Sequence, residues 1–350
     1  MIELRSDTFT LPTPEMLAAA TTVPLGDDVW GEDPTVIALE RRGADLMGKE
    51  AAVFVSSGSQ GNLAAILAHT KRGDEVICGD RTHIFNAEAA SAAAFGGVQL
   101  HPVPNTRHGT LDPEKLRGAI RSPDIHHPPT TLICLENTHN ACGGAVLTLG
   151  DMADARETAG RAGAKLHLDG ARVFNAAIAL GVSAASIAGY ADSVTFCLSK
   201  GLSAPVGSLL CGSQHFVDRA RKYRKMLGGG MRQAGILAGP GIVALATCID
   251  RLAEDHVNAR RIGEALAALP GVEVDLETLR SNIIIADFQG TGRTAVDIVR
   301  ALEDRDVLTA AVGEYRIRLV THRGVTALET SQAIAALQAE LGRIGAVASA

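Results

Sequence analysis

The chain has 350 residues, 46% of them apolar, with 33 basic and 39 acidic side chains and a net charge of −6. That length allows a large core and more than one domain. Charges of both signs are interspersed and only 3% of residues are aromatic, so nucleic acid is not an expected partner.

The opening residues MIELRSDTFT lack the basic-then-apolar pattern of a signal peptide. GDDVWGEDPT (26–35) reads as a loop, ending in Asp33-Pro34, an N-cap and N1 pair that opens a helix. From Ala51 onward, seven short apolar runs read as strands: AAVFV, EVICG, VQLHPV, TTLICLE, KLHLD, SVTFCLS and GSLLCG. Helical segments such as GNLAAILAHT and DMADARETAG lie between most of them. Near-continuous apolar strands alternating with helices predict an α/β fold with a mainly parallel sheet covered on both faces. Ligands of such sheets gather at the carboxyl ends of the strands.

After a long helical stretch, IVALATCIDRLAEDHVNARRIGEALAAL, the pattern changes. VEVDL, NIIIADF and YRIRLVTH read as strands, with TAVDIVRALEDR and ALETSQAIAALQAELGRI as helices, a smaller α+β unit. The boundary falls around residues 240–250, dividing the chain into 1–245 and 246–350. The longest uncharged apolar stretch, AGILAGPGIVALATCI, is broken by Gly-Pro-Gly and too short for a membrane span. Cys78, Cys134, Cys142, Cys197, Cys211 and Cys248 show no CxxC spacing and read as reduced core thiols of a cytosolic enzyme.

Several polar clusters follow the strands. SSGSQGN (56–62) opens a helix, and Gly58 and Gly61 allow close backbone approach beside an anion-binding helix N-terminus. Taken alone it also suits a plain turn, and no GK[ST] follows. In KLHLDGAR (165–172), Asp169 ends a strand, with Arg172 near the same crevice. An N-cap carboxylate and a solvated arginine would look the same. Lys200, about one crossover unit later, follows an apolar strand and precedes Gly, Ser, Ala and Pro. A lysine desolvated there can act as an amine nucleophile toward an aldehyde. A phosphate loop, an acid for a ring nitrogen and a Schiff-base lysine together form the partner set of pyridoxal 5′-phosphate.

His83, past EVICG, can stack on a ring or act as a base. His126 and His127 lie in a polar loop before TTLICLE, and LENTHN (135–140) ends that strand. No histidine pair has HExxH or HxxxH spacing, so no metal is expected. Arg316 and Arg318 share one face of a strand, and one of them can clamp a carboxylate. RKYRKMLGGGMRQAG places Lys225 and Arg232 around three glycines, either as a solvated helix end or as phosphate contacts. GTGRTA (290–295) matches GxGxxA, a weak pointer to a dinucleotide.

RSDT (5–8), GDDVWGEDPT, SSGSQGN, LENTHN, HLDGAR (167–172), CLSKGLSAPVGS (197–208), KMLGGGMRQAG (225–235) and IRLVTH (317–322) resemble, in order and nearly end to end, the low-specificity L-threonine aldolases. The resemblance implies a fold type I pyridoxal-phosphate enzyme, with a large domain built on a mainly parallel seven-stranded sheet and a smaller C-terminal α+β domain. It implies cleavage of L-threonine, L-allo-threonine and other β-hydroxy-α-amino acids to glycine and an aldehyde, as part of cytoplasmic amino-acid metabolism. By position, Lys200 is the Schiff-base lysine, Asp169 pairs with the pyridinium nitrogen, and His83 stacks on the ring and moves protons. Gly58, Ser59 and Gln60 hold the phosphate, with Arg232 from a neighbouring subunit. Ser6, Arg172 and Arg318 bind the substrate carboxylate, with Arg172 also near the cofactor oxygen. His126 lies near the substrate hydroxyl, Lys225 at a subunit contact, and the assembly is a homotetramer of tight dimers. Trp30 stands where the family commonly has tyrosine, in the pocket for the β-substituent. Ser59-Gln60 replaces Thr-Met, and Asn86-Ala87 replace bulkier residues.

Overall fold

The seven apolar runs after residue 50 become one sheet in the computed structural model, which describes residues 1–341. Its spatial order is Ala51–Val55, Ser208–Gly212, Ser193–Cys197, Lys165–Asp169, Thr130–Glu136, Glu75–Gly79 and Gln99–Val103. Ser208–Gly212 is antiparallel to both neighbours. The remaining strands therefore run in one direction and end along one edge. The connection from Cys197 to Ser208 is too short for a crossover helix, which forces that one reversal and places Lys200 in the turn.

Local chemistry sets the flanking helices. Asp33 caps Pro34–Met47, its carboxylate accepting from the N–H groups of Thr35 and Val36, and Gly48 ends the helix at φ 61°. Gly58–His69 is buried along Gly61–Ala68, so its apolar residues face the core on every side. At Gly207, φ is 99°, and a Cβ would lie 2.4 Å from Phe54 Cε2. Gly207→Ala is therefore expected to destabilise the fold by about 1–3 kcal/mol, read as a lower denaturant midpoint.

The long helical stretch divides into Gly235–Thr247 and Leu252–Ala267, bent by 70°. The first helix packs Ala238, Ala244 and Leu245 into the large core, and the second packs Ala259, Ile262 and Leu266 into a separate core. One straight rod could not serve both. The second core lies against an antiparallel four-stranded sheet, ordered Ala310–Ala311, Arg316–Val320, Ile283–Asp287 and Glu273–Val274. Ile283–Asp287 has antiparallel partners on both sides, so GTGRTA follows no parallel βαβ unit and the dinucleotide reading falls away. Ile2–Glu3 pairs in parallel with Val307–Leu308, and Leu4 lies in the second core. The first residues thus pack with the C-terminal unit although they precede the large one in sequence. A two-residue strand carries no pattern that would reveal its partner.

Candidate active site

A cavity of about 310 Å³ lies at the carboxyl ends of the strands. Ser6, Gly58, Ser59, His83, Asp169, Arg172, Lys200 and Arg318 all line it, so sequence-distant candidates converge. Each is placed by an identifiable local feature. Ser57 caps the helix Gly58–His69, its hydroxyl accepting from Gln60 N. The N–H groups of Gly58 and Ser59 precede the first intrahelical bond, an anion-seeking arrangement. A Cβ on Gly58 would lie 2.9 Å from Cys197 Sγ, so glycine lets the helix start meet the end of the lysine strand. Asp169 ends its strand, buried, and accepts from Ala171 N at 3.1 Å. The turn carrying half-buried Lys200 is tied to the N-terminal segment by Thr10 Oγ1, which donates to the Lys200 carbonyl at 2.8 Å.

The arginines form an anion pocket. Asp7 grips buried Arg172 with two bonds, from Nε at 2.8 Å and Nη2 at 2.7 Å, and Asn282 Nδ2 adds a third donor to Asp7 at 3.2 Å. Burial opposes the charge on Asp7, but the Arg172 and Lys200 cations and these hydrogen bonds outweigh it and hold the carboxyl well below the usual carboxylate range. Arg172 Nη1 and Arg318 Nη1 both donate to Asn140 Oδ1 at 3.4 Å. Arg318 Nε is buried with no hydrogen-bond partner among the described residues. Burial first and the Arg172 charge second lower the pKa of Arg318. A carboxylate bound here would satisfy the donor and relieve the repulsion.

His83 opens the short helix His83–Asn86, its backbone N–H donating to Glu136 Oε2 at 2.7 Å. Its Nδ1 lies 2.9 Å from Glu88 Oε1. The Glu88 bond raises the His83 pKa above the ordinary imidazole value, against burial. Burial, then the nearby Asp169 charge, raises that of Glu88. Asn62 Nδ2 donates to Glu88 Oε1 and Asp169 Oδ2, both at 2.8 Å. His83, Glu88 and Asp169 bring ligand-type atoms within 4.8 Å of one another, and the Asn62 amide supplies positive hydrogens to both carboxylates there.

Glu88, Asn62, Asp7 and Glu136 escape the sequence reading as site residues with these roles. Glu88 follows His83 by five residues in HIFNAEAA, past the end of the short helix His83–Asn86 and without ending a strand, and Asn62 sits in a helix of ordinary apolar residues. The one local signal is the Asn62 amide in an otherwise buried apolar helix; Glu88 is buried among exposed neighbours and carries none.

Other expected residues are not brought to this cavity. Gln60 Oε1 accepts from Ser56 N at 2.9 Å, and a Cβ on Gly229 would strike its amide, so its side chain lies against the glycine loop. Arg232 is exposed and pairs with Asp27 at 3.0 Å. Trp30 is 76% exposed and lines a separate hollow with Asp28, Ile37 and Arg221, not the space above Lys200. His126 is exposed, its N–H donating to Asp124 Oδ1 at 2.8 Å, and Lys225 is exposed on its helix.

The architecture and this site define a fold type I, pyridoxal-phosphate-type enzyme. The same fold occurs in a structure described as a putative L-allo-threonine aldolase from Listeria monocytogenes, with a TM-score of 0.81, 19% identity and coverage of 97% of this chain and 96% of that one. A Leishmania major threonine aldolase also gives 0.81, at 21% identity, over 98% and 100% of the two chains. The family model for beta-eliminating lyases matches residues 3–289. A low specificity L-threonine aldolase of Escherichia coli (strain K12) is 43% identical over 343 residues, 98% of this chain and 100% of its own length. A probable low-specificity L-threonine aldolase 2 of Arabidopsis thaliana is 42% identical over 96% of each chain. The chain belongs to the low-specificity L-threonine aldolase family.

Proposed function

We propose that this protein is a pyridoxal-phosphate-dependent carbon–carbon lyase that reversibly cleaves L-threonine, L-allo-threonine and other β-hydroxy-α-amino acids to glycine and an aldehyde. The observation that carries this reading is the convergence of Lys200, Asp169, His83 and the Arg172–Arg318 pair on one cavity.

The donor set fits the cofactor. Lys200 offers an amine for its aldehyde, Asp169 a buried carboxylate for its ring nitrogen, and the helix start at Gly58 and Ser59 a seat for its phosphate, with Gln60 alongside. When bound, the group supplies an electron sink for the charge left on the substrate α-carbon. Asp169 keeps a proton on the ring nitrogen. Ser6, Arg172 and Arg318 hold the substrate carboxylate and so decide which bond at the α-carbon stands ready to break. His83 takes the β-hydroxyl proton as the Cα–Cβ bond opens. His126 lies outside this cavity in the single chain, in the exposed loop 122–129, and its assignment to the hydroxyl end of the substrate rests on the family resemblance.

The reading extends to a cytoplasmic homotetramer built as a dimer of dimers, active in glycine and amino-acid metabolism. Apart from residues 2–4, which pack with the smaller unit, residues 1–245 form the cofactor-holding unit, and the chain from 246 onward forms the smaller unit that brings Arg318. Arg232 is brought to the phosphate by a neighbouring copy, with Lys225 at the contact. Trp30 shares that surface, because Asp28 N donates to the Arg232 carbonyl at 2.9 Å, and we assign Trp30 to the β-substituent. All six cysteines are free and buried, which suits a reducing compartment.

The test combines spectrum and products. The purified protein with pyridoxal phosphate should show a visible absorbance band abolished by borohydride, and should release acetaldehyde and glycine in equal amounts from L-threonine and L-allo-threonine. Release of ammonia and an oxo acid, with no acetaldehyde, would move the reaction to β-elimination.

A further inference from the structure

We propose that Glu88 is a positioning residue for His83: its carboxylate accepts the Nδ1–H and so fixes the ring in the tautomer whose Nε2 is free to take the β-hydroxyl proton. The inference rests on the aldolase reading and deepens it, since neither the family resemblance nor the sequence pattern assigns Glu88 a role.

The argument follows a chain of hydrogen bonds through the core. Asn62 lies between two carboxylates, so its Nδ2 must face Glu88 and Asp169 and its Oδ1 must accept. The atom within reach of Oδ1 is His167 Nε2, at 3.2 Å, which therefore carries its ring's proton. His167 Nδ1 then accepts from Ser193 Oγ at 2.8 Å, and Ser193 Oγ accepts from His69 Nε2 at 2.8 Å. Burial pushes the His167 pKa down to about 4 and that of His69 down to about 3, so each ring is neutral with one proton to place. Every bond in the chain points toward the two carboxylates. Glu88 Oε1 receives one donor from Asn62, and His83 Nδ1 at 2.9 Å supplies the second. Imidazole is the stronger base of the pair, so the shared proton rests on the ring. The charged or titratable groups around His83 and Glu88 are Asp169 and Glu136 at strand ends, Lys200 in its turn and the Cys134 thiol.

Nitrogen-15 spectra of the histidine-labelled holoenzyme read the ring directly, without turnover. Above its pKa, His83 should carry its proton on Nδ1; a proton on Nε2 would overturn the proposal. Glu88→Gln keeps an acceptor but removes the charge. It should lower kcat for L-threonine about 10–100-fold with little change in KM. It should also move the acid limb of kcat/KM to lower pH, because the carboxylate holds the His83 pKa up. In a His83→Asn background the same change should cost nothing further. An equal loss in both backgrounds, or an unchanged pH profile in the single variant, would refute action through His83. If Glu88→Gln fails to fold, the tautomer measurement decides alone. A wild-type protein that releases no aldehyde would sink the proposed function and leave the ring measurement standing.

Discussion

Lys200→Ala is expected to remove the borohydride-sensitive visible band and to lower turnover of L-threonine by at least about 10³-fold, the scale seen when a covalent catalytic residue is lost. The lysine is half-buried in a turn between two buried strands, where no surface role explains its presence. Its backbone carbonyl, not its side chain, ties the turn to Thr10 and Ser203, each at 2.8 Å. The alanine variant should therefore melt within a few degrees of the parent, so that the loss of turnover is chemical. A variant that keeps both the band and the rate would remove Lys200 from the mechanism.

Asp169→Asn should lower kcat by about 10²–10³-fold, the range for deleting one preorganised electrostatic contact in a closed site. The carboxylate is buried, and its bonds from Asn62 and Ala171 aim one edge of it into the cavity. An amide of the same shape cannot hold a proton on a ring nitrogen by charge. Folding should suffer much less, because the variant keeps an acceptor oxygen and also ends the repulsion that raises the Glu88 pKa. Equal kcat values in the variant and the parent, measured with saturating cofactor, would exclude Asp169 from charge stabilisation.

Much of this site is legible in the sequence because its chemistry is local to strand ends. Asp169 closes KLHLD, Lys200 trails SVTFC, and Gly58 follows AAVFV, so a parallel sheet with ligands at its carboxyl edge already groups them. Arg318 is legible only as one of two arginines on a strand face; the fold separates them, leaving Arg316 exposed and Arg318 half-buried. Trp30 shows the opposite limit. Its segment resembles the family's motif, yet in the single chain the exposed indole lines a separate hollow, while Asp27 pairs with exposed Arg232 and Asp28 with buried Arg224 of the helix Gln214–Met226.

Periodicity and punctuation act over a few neighbours, so the alternation of strand and helix, the seven strand-like runs and the polar residues that follow them are readable from the chain alone. Only the tertiary structure decided the partners of those residues. The grip of Asp7 on Arg172, the shared Asn140 between two arginines, and the meeting of Asn62, Glu88 and Asp169 join segments separated by tens to hundreds of residues. The physical reason is that a buried charge or amide must find a partner in space, and nothing in its own segment specifies which one.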